Sequence, residues 1–239
     1  MRHLTVSWFS AGVSSAVATK LAINQIDEII YTHIDDQHPD TMRFVKDCEK
    51  WFSKPIQVIQ SKQATNVADA MCFFPSRGFG RFSPCTQILK RRVRQAWERE
   101  NKGVDLRYVW GMDYQEKERA ENLFDSMPKQ DHLFPLIDRK LSKEQAHEIL
   151  AASGINRPAM YELGYHNNNC VGCVKGGMGY WNKIRQDFPD VFEERAKLER
   201  KLGGSFIKDA YLDELDPEAG RHAGPIVGDC GILCELMAI

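Results

Sequence analysis

The sequence predicts an α/β protein organised on a parallel sheet, and three observations predict it. Short apolar runs alternate with helical periodicities through the first half of the chain, the order that gives right-handed β-α-β crossovers. Small residues join the first apolar run to the first helix, which leaves backbone amides uncovered at a helix start. Of the 239 residues 43% are hydrophobic and 27% charged, an ordinary globular balance that excludes disorder, collagen and coiled coil.

The elements follow in order. Leu4 to Phe9 reads as a buried strand and Ser14 to Ile23 as the helix after it. Glu28 to Ile34 is the second strand. Asp40 to Phe52 carries Phe44, Cys48 and Trp51/Phe52 at i, i+4 and i+7/8, which is a helix with a core-facing stripe. Pro55 to Gln60 is the third strand and Leu106 to Trp110 the fourth, with a basic helix from about Thr86 to Glu100 between them. Such a sheet binds its ligand beyond the carboxyl ends of its strands.

After the fourth strand the pattern becomes helical. Ser142-Lys143-Glu144-Gln145 is a capping box, with Gly154 at the position just past the end of its helix. Pro189 to Leu202 is a charged helix closed by Gly203-Gly204. The expected organisation is an α/β domain over residues 1–140 and a helical, cysteine-bearing extension over 141–239, packed as one compact unit.

With 32 Lys+Arg against 33 Asp+Glu the net charge is −1, which argues against a general nucleic-acid coat or a binder of anionic membranes. No apolar run reaches the 18 or more residues of a membrane span. The start, Met1-Arg2-His3-Leu4, shows no signal-peptide apolar region, so the expected location is the cytoplasm. In a reducing compartment the seven cysteines read first as metal ligands or reactive thiols.

The loop after the first strand is Ser10-Ala11-Gly12-Val13-Ser14-Ser15. It is neither the dinucleotide fingerprint nor the Walker loop, and Ser-x-Gly-x-x-Ser alone also fits a small-residue turn with Ser14 as N-cap. The second strand ends in His33-Ile34-Asp35-Asp36-Gln37-His38-Pro39-Asp40-Thr41, carboxylates that suit an adenosine or a magnesium ion. The fourth ends in Trp110-Gly111-Met112-Asp113, with Glu116 and Arg119 beyond. Phe134-Pro135-Leu136, Tyr161…Gly164-Tyr165 and Cys170-Val171-Gly172-Cys173 follow.

In this order the motifs resemble the PP-loop ATP pyrophosphatases, in the branch that holds the phosphoadenosine phosphosulfate (sulfonucleotide) reductases. The first loop is similar to that family's Ser-Gly-Gly-x-Asp-Ser, and Asp35…Pro39-Asp40-Thr41 to its Asp-Thr-Gly…Pro-Glu-Thr. Gly111 with Glu116 and Arg119 is similar to its Gly-x-Arg…Glu-Ser…Arg-Ala element. The resemblance covers about residues 4–175 and returns at the C-terminus. It implies a Rossmann-like PP-loop (adenine nucleotide alpha hydrolase-like) sheet with helices on both faces. Two residues depart from the pattern: Ala11 stands for a glycine, acceptable if its φ stays negative, and Ser14 for an aspartate.

Cys85 precedes Cys170 by 85 positions, in Pro84-Cys85-Thr86. The adenylylsulfate reductases have a similar layout, a Cys-Cys pair and then Cys-x-x-Cys, holding a [4Fe-4S] cluster. Three of four ligands are matched here: Cys85, Cys170 and Cys173. The tail Asp229-Cys230-Gly231-Ile232-Leu233-Cys234 is similar to those reductases' Glu-Cys-Gly-Leu-His. Cys230 or Cys234 then closes the cluster, or Cys230 remains a nucleophile over the nucleotide. A structural zinc on Cys170, Cys173, Cys230 and Cys234 is the alternative. Cys48 and Cys72 read as core residues. Lys90-Arg91-Arg92 with Arg94 reads as a solvated face or as a local phosphate site. Gly176 to Trp181 reads as a substrate loop or a turn into a helix, and His166 is the one histidine near the cysteines.

The resemblance implies an enzyme that binds ATP or an adenosine phosphosulfate. Amides from Ser10 to Ser15, with Asp35, Gly111 and Arg119, would hold the nucleotide and its Mg²⁺, and Asp35, Lys90 and Cys230 are the catalytic candidates. The leading reading is adenylation of an acceptor with release of pyrophosphate, for sulfur transfer to a small molecule or a nucleobase. The second is a sulfonucleotide reductase in which Cys230 attacks sulfur and thioredoxin resolves the product. The third is a nucleotide-binding or zinc-stabilised interaction module without turnover. A sulfur donor or thioredoxin and a second copy of the chain are the expected protein partners.

Overall fold

The computed structural model describes residues 3–73, 83–208 and 210–221. Five strands form one sheet: β1 (His3–Phe9), β2 (Glu28–Thr32), β3 (Ile56–Ile59), β4 (Asp105–Val109) and β5 (Asp131–Leu133). Their spatial order is β3-β2-β1-β4-β5 and every pairing is parallel. At the centre, Val6 stands opposite Glu28 on one side and Tyr108 on the other. Leu4 to Ser7 of β1 are all buried, as a strand covered on both faces requires. The order reverses between β1 and β4, and a crevice opens there at their carboxyl ends. This is the Rossmann-like parallel α/β architecture the sequence predicts.

One face of the sheet is covered by α1 (Val13–Leu21), α2 (Asp40–Phe52) and α8 (Lys143–Ala152), whose Ala16, Val17, Phe44, Phe52, Ala146 and Leu150 share one core. The predicted stripe of α2 is the cause: Phe44, Cys48 and Phe52 are all buried. Each large apolar side chain so buried contributes about 1.5–3 kcal/mol. The chain leaves α2 through Ser53 in the left-handed region, φ 51°. The other face carries Trp97 of α5 (Arg92–Glu100) and Ala120 and Leu123 of α6 (Lys117–Ser126) against Leu4, Val6, Ile30 and Tyr108.

A third core joins α3 (Val67–Cys72), α10 (Met178–Asp187) and α11 (Pro189–Leu202). It gathers Ile34, Met71 and Ile88 with Trp181, Phe192 and Leu212, so it draws on residues from both sides of position 140. Glu199 of α11 has no exposed surface and accepts hydrogen bonds from the amides of Phe206 and Leu212. Burial pushes its carboxyl up, against the pull of those amides.

The structure corrects several sequence expectations. β5 is absent from the reading because it has three residues and only His132 is buried, too little for a period to show. The first helix begins at Val13 with Gly12 as N-cap, so Ser14 lies inside the first turn and caps nothing. The basic helix starts earlier, with α4 (Pro84–Thr86) running through a π-turn (Gln87–Arg91) into α5. Cys72 is exposed, whereas Cys48 is buried and its thiol pushed up by desolvation. The segment after Cys173 is a turn into α10, with Gly177 as N-cap. The Ser142–Gln145 capping box is present, and Gly154 has φ 77°.

Candidate functional site

At the carboxyl ends of β1 and β4 lies a cleft with about 770 Å³ of empty space. Trp8 and Trp110 supply aromatic surface, Ser10, Ser15 and Gly111 the floor, and Lys90, Arg94 and Arg119 positive charge. The helical segment that begins at Pro84 carries Lys90 in its π-turn and Arg94 one turn later. π-turns of this kind occur often at functional sites. Arg94 donates to Glu98 at 2.5 Å, and Tyr108 donates to the same carboxylate at 2.6 Å, which fixes the arginine's stem at the cleft wall. Arg119 pairs with Glu116.

The loop leading into α1 is held internally. Ser10 N–H donates to Ser15 Oγ at 3.1 Å and Gly12 N–H to Ser10 Oγ at 3.4 Å. Val13 N–H donates to the Tyr161 phenol at 3.3 Å. Ala11 has φ 58°, so the condition of a negative φ is not met. A residue with a Cβ pays about 1–2 kcal/mol in that region. Asn168, itself buried, donates to the Ala11 carbonyl at 2.9 Å and to Thr41 Oγ1 at 3.1 Å, which holds the unusual turn in place. Of the six loop residues singled out in the sequence, Ser10 and Ser15 line the cleft, and Ala11, Gly12, Val13 and Ser14 are not part of its lining.

Gly111 has a steric reason. A Cβ there would collide with the Cα of Ser15 and lie 2.7 Å from its amide nitrogen. Only glycine lets the end of β4 approach the start of α1 this closely.

The acidic candidates are placed differently. Asp35 lies outside the cleft lining, half exposed, accepting from Gln60 at 2.7 Å with His33 3.6 Å away. A hydrogen bond from Thr65 is the main influence holding its carboxyl low. Asp36 accepts from the Val67 amide at 2.6 Å and pairs with Arg195. Asp40 pairs with Arg43 at 2.7 Å and accepts from the Ala159 amide at 2.8 Å. Asp113 and Glu116 form a capping box, with burial pushing the Asp113 carboxyl up. Glu116 is the one carboxylate lining the cleft among the described residues, and it is engaged by Arg119. The described residues therefore do not fit a resident magnesium ion in the cleft.

Beside the cleft lies a second, smaller cavity. Cys85, Cys170 and Cys173 line it together with Ile34, Val67 and Leu89. The Cys170–Cys173 turn is fixed from several sides. Tyr180 accepts from Cys173 N–H at 2.9 Å and donates to the Cys170 carbonyl at 3.2 Å. Val171 N–H donates to the Asp36 carbonyl at 2.8 Å, and Gln37 and Cys170 form an antiparallel bridge. Gly172 sits at φ 69°, where a Cβ would meet Val191 at 2.7 Å. Thr86 lines the same cavity with 3% of its surface exposed, and its hydroxyl has no hydrogen-bond partner. A hydroxyl buried in this way costs about 1–3 kcal/mol.

Among the described residues no three His, Cys, Asp or Glu side chains are gathered closely enough to hold one metal ion. Thiolates around a single tetrahedral zinc stand about 3.8 Å apart, given Zn–S bonds near 2.3 Å. Ligands spread over the separate irons of a cluster stand farther apart. Three thiols on one cavity wall with an orphaned hydroxyl thus fit an iron–sulfur group in donor chemistry. Cys230 and Cys234 lie outside the described residues.

Lys90 lines both the cleft and the thiol cavity. Its charge also reaches Tyr31, whose phenol burial pushes up while Lys90 pulls it down and Cys170 raises it. Tyr31 in turn donates to Gln37 Oε1 at 2.5 Å. Trp8, Gln37 and Thr32 are cleft residues the sequence reading did not single out. A signal existed for Gln37, inside the polar run that ends β2, and for Asn168, the middle of three consecutive asparagines. His166 lies with Lys143 and His147 around a separate depression. Burial first, and then Arg157 and Lys143, push the His147 imidazole down to about 4.

No helix among the described residues is long and apolar enough to cross a membrane. Residues 4–176 match the family model described as the phosphoadenosine phosphosulfate reductase domain. No curated protein matches the chain.

Proposed function

The chain belongs to the phosphoadenosine phosphosulfate reductase domain family, and from that premise we propose that it is a PP-loop enzyme acting on an adenine nucleotide beside an iron–sulfur centre. Membership supports an enzyme of the PP-loop or sulfonucleotide reductase type. The finer reading is adenylation of an acceptor by ATP with release of pyrophosphate, in the service of sulfur transfer to a small molecule or a nucleobase. The observation that carries it is Lys90, one cation lining both a positively charged cleft suited to an anionic nucleotide and a cavity of three thiols.

In this reading the indoles of Trp8 and Trp110 flank the nucleotide and Ser10 and Ser15 face its phosphates. Lys90, Arg94 and Arg119 oppose the charge that builds on the leaving pyrophosphate, the electrostatic role of preorganised cations. Magnesium, to which the described residues of the cleft offer only Glu116, already paired with Arg119, would arrive on the nucleotide. Cys85, Cys170 and Cys173 would hold a [4Fe-4S] cluster, which supplies a sulfur-ligated, redox-capable centre when bound. The test is pyrophosphate release from ATP by anaerobically purified protein offered candidate acceptors. Release that depends on acceptor and is lost in Lys90→Met supports the reading, and no pyrophosphate with any acceptor overturns it.

The family match also favours a second reading, a sulfonucleotide reductase with Cys230 as nucleophile. Its thiolate would attack the sulfur of a phosphosulfate, displacing the nucleotide phosphate and forming a Cys–S-sulfonate. A thioredoxin thiol would then release sulfite and leave a mixed disulfide. Sulfite formation that disappears in Cys230→Ser decides for this reading.

A further inference from the structure

The thiol cavity contains one polar side chain that the rest of the molecule does not use. Thr86 follows Cys85 directly in α4, is 3% exposed, and carries a hydroxyl with no partner in a cavity whose wall it shares with Ile34, Val67, Leu89, Val174, Lys90 and the three cysteines. Threonine hydroxyls inside helices usually bond back to a carbonyl one turn earlier. Thr86 lies in the first turn of its helical segment, since α4 begins at Pro84, and its hydroxyl makes no such bond. Packing alone would be satisfied by valine, which has the same shape without the hydroxyl. Among the side chains that share this cavity with Thr86, Lys90 can only donate, so the acceptors on offer are the sulfurs of Cys85, Cys170 and Cys173.

We propose that Thr86 is a positioning residue for the sulfur-ligated centre, its hydroxyl donating a hydrogen bond to a thiolate or sulfide sulfur when Cys85, Cys170 and Cys173 carry a cluster. The proposal rests on the iron–sulfur reading above and goes beyond it by naming a tuning group. Hydrogen bonds to cluster sulfurs stabilise the more negative, reduced form and so raise the reduction potential. They also favour thiolate over thiol, which strengthens the hold on iron.

The experiment compares wild type, Thr86→Val and Thr86→Ser, each purified anaerobically and reconstituted with iron and sulfide. Without iron, Thr86→Val melts at the same temperature as wild type or higher, because it removes an unsatisfied group. With iron, its midpoint potential shifts downward and it releases iron to a chelator several-fold faster. Thr86→Ser, which keeps the hydroxyl, restores both. That opposite sign in the two states is what a purely structural threonine would not produce. Equal potentials and equal release rates for loaded wild type and Thr86→Val overturn the tuning role while leaving the cluster in place. A wild type that takes up no iron and sulfide overturns the cluster reading and this one together.

Discussion

The cleft and the thiol cavity are neighbours at the same end of the sheet, yet they are built on opposite principles. The cleft is wide and cationic, and ion pairs and hydrogen bonds set its walls: Arg94 on Glu98, Arg119 on Glu116, Ser10 on Ser15. The cavity is small and mostly apolar, and its one hydroxyl has no hydrogen-bond partner. Charged walls suit a ligand that comes and goes with its own hydration. A dry wall with an unsatisfied donor suits a group that stays. Lys90 stands between them, and three substitutions separate the two regions.

The largest effect falls on the cavity side. Arg195 has 1% of its side chain exposed, pairs with Asp36, and donates to the Gly172 carbonyl at 3.3 Å. Arg195→Met leaves Asp36 without its partner, and stability should fall by about 3–5 kcal/mol. The measurement is urea denaturation, with alkylation of Cys170 and Cys173 in the native state rising in parallel. A variant as stable as wild type would mean the Cys170–Cys173 turn is held by Tyr180 and Val171 alone.

Gly111→Ala attacks the cleft alone. Its Cβ would strike the backbone of Ser15, and overpacking of this kind costs about 1–3 kcal/mol. Nucleotide affinity, read by calorimetry, should fall at least tenfold, while iron uptake at the thiol cavity stays at the wild-type level. Loss of both would show that the two regions share more than Lys90.

Lys90→Met touches both regions. A hydrogen bond to a charged group contributes about 1.5–3 kcal/mol, so nucleotide binding should weaken roughly 10- to 100-fold, with Lys90→Arg intermediate. The salt dependence of binding should flatten in the methionine variant, which is the sign of a lost cation.

The smallest effect lies away from both. His147 has its imidazole held down to about 4, below the ordinary value near 6.5. Between these values the unfolded chain takes up a proton that the folded one does not, so stability falls as pH falls through that window. A ring titration by NMR should find the midpoint well below 6, and His147→Gln should flatten the stability profile there with nucleotide affinity unchanged. An ordinary midpoint would mean the ring is solvated beside Tyr161.

The parts of this molecule that were legible in the sequence are those with a repeating physical cause. The α2 stripe fixed its element from Asp40 to Phe52, and Pro189 with Gly203 bracketed α11. The likeness to the reductases' cysteine layout pointed to Cys85, Cys170 and Cys173 together, and the three line one cavity from positions far apart in the chain. Features set by single contacts were not legible. A three-residue edge strand has no period, and the positive φ of Ala11 depends on Asn168, 157 positions away. Asp35 reads as a ligand by its place after β2, but the local hydrogen bonds of Gln60 and Thr65 hold it outside the cleft. Asp113 and Glu116 follow β4 in the motif run, and the capping box they form is a local contact with no periodic signal.

The phenol of Tyr161 on the Val13 amide has a mechanical side. Neither residue lines the cleft, so the bond braces the loop outside the ligand's space. It ties the first turn of α1 to the short helix Ala159–Glu162, 148 positions along the chain, and the His147 ring lies edge-on against the phenol with ring centres 4.8 Å apart. The wall that Ser10 and Ser15 present to the cleft is thereby anchored to the part of the chain that also carries Asn168.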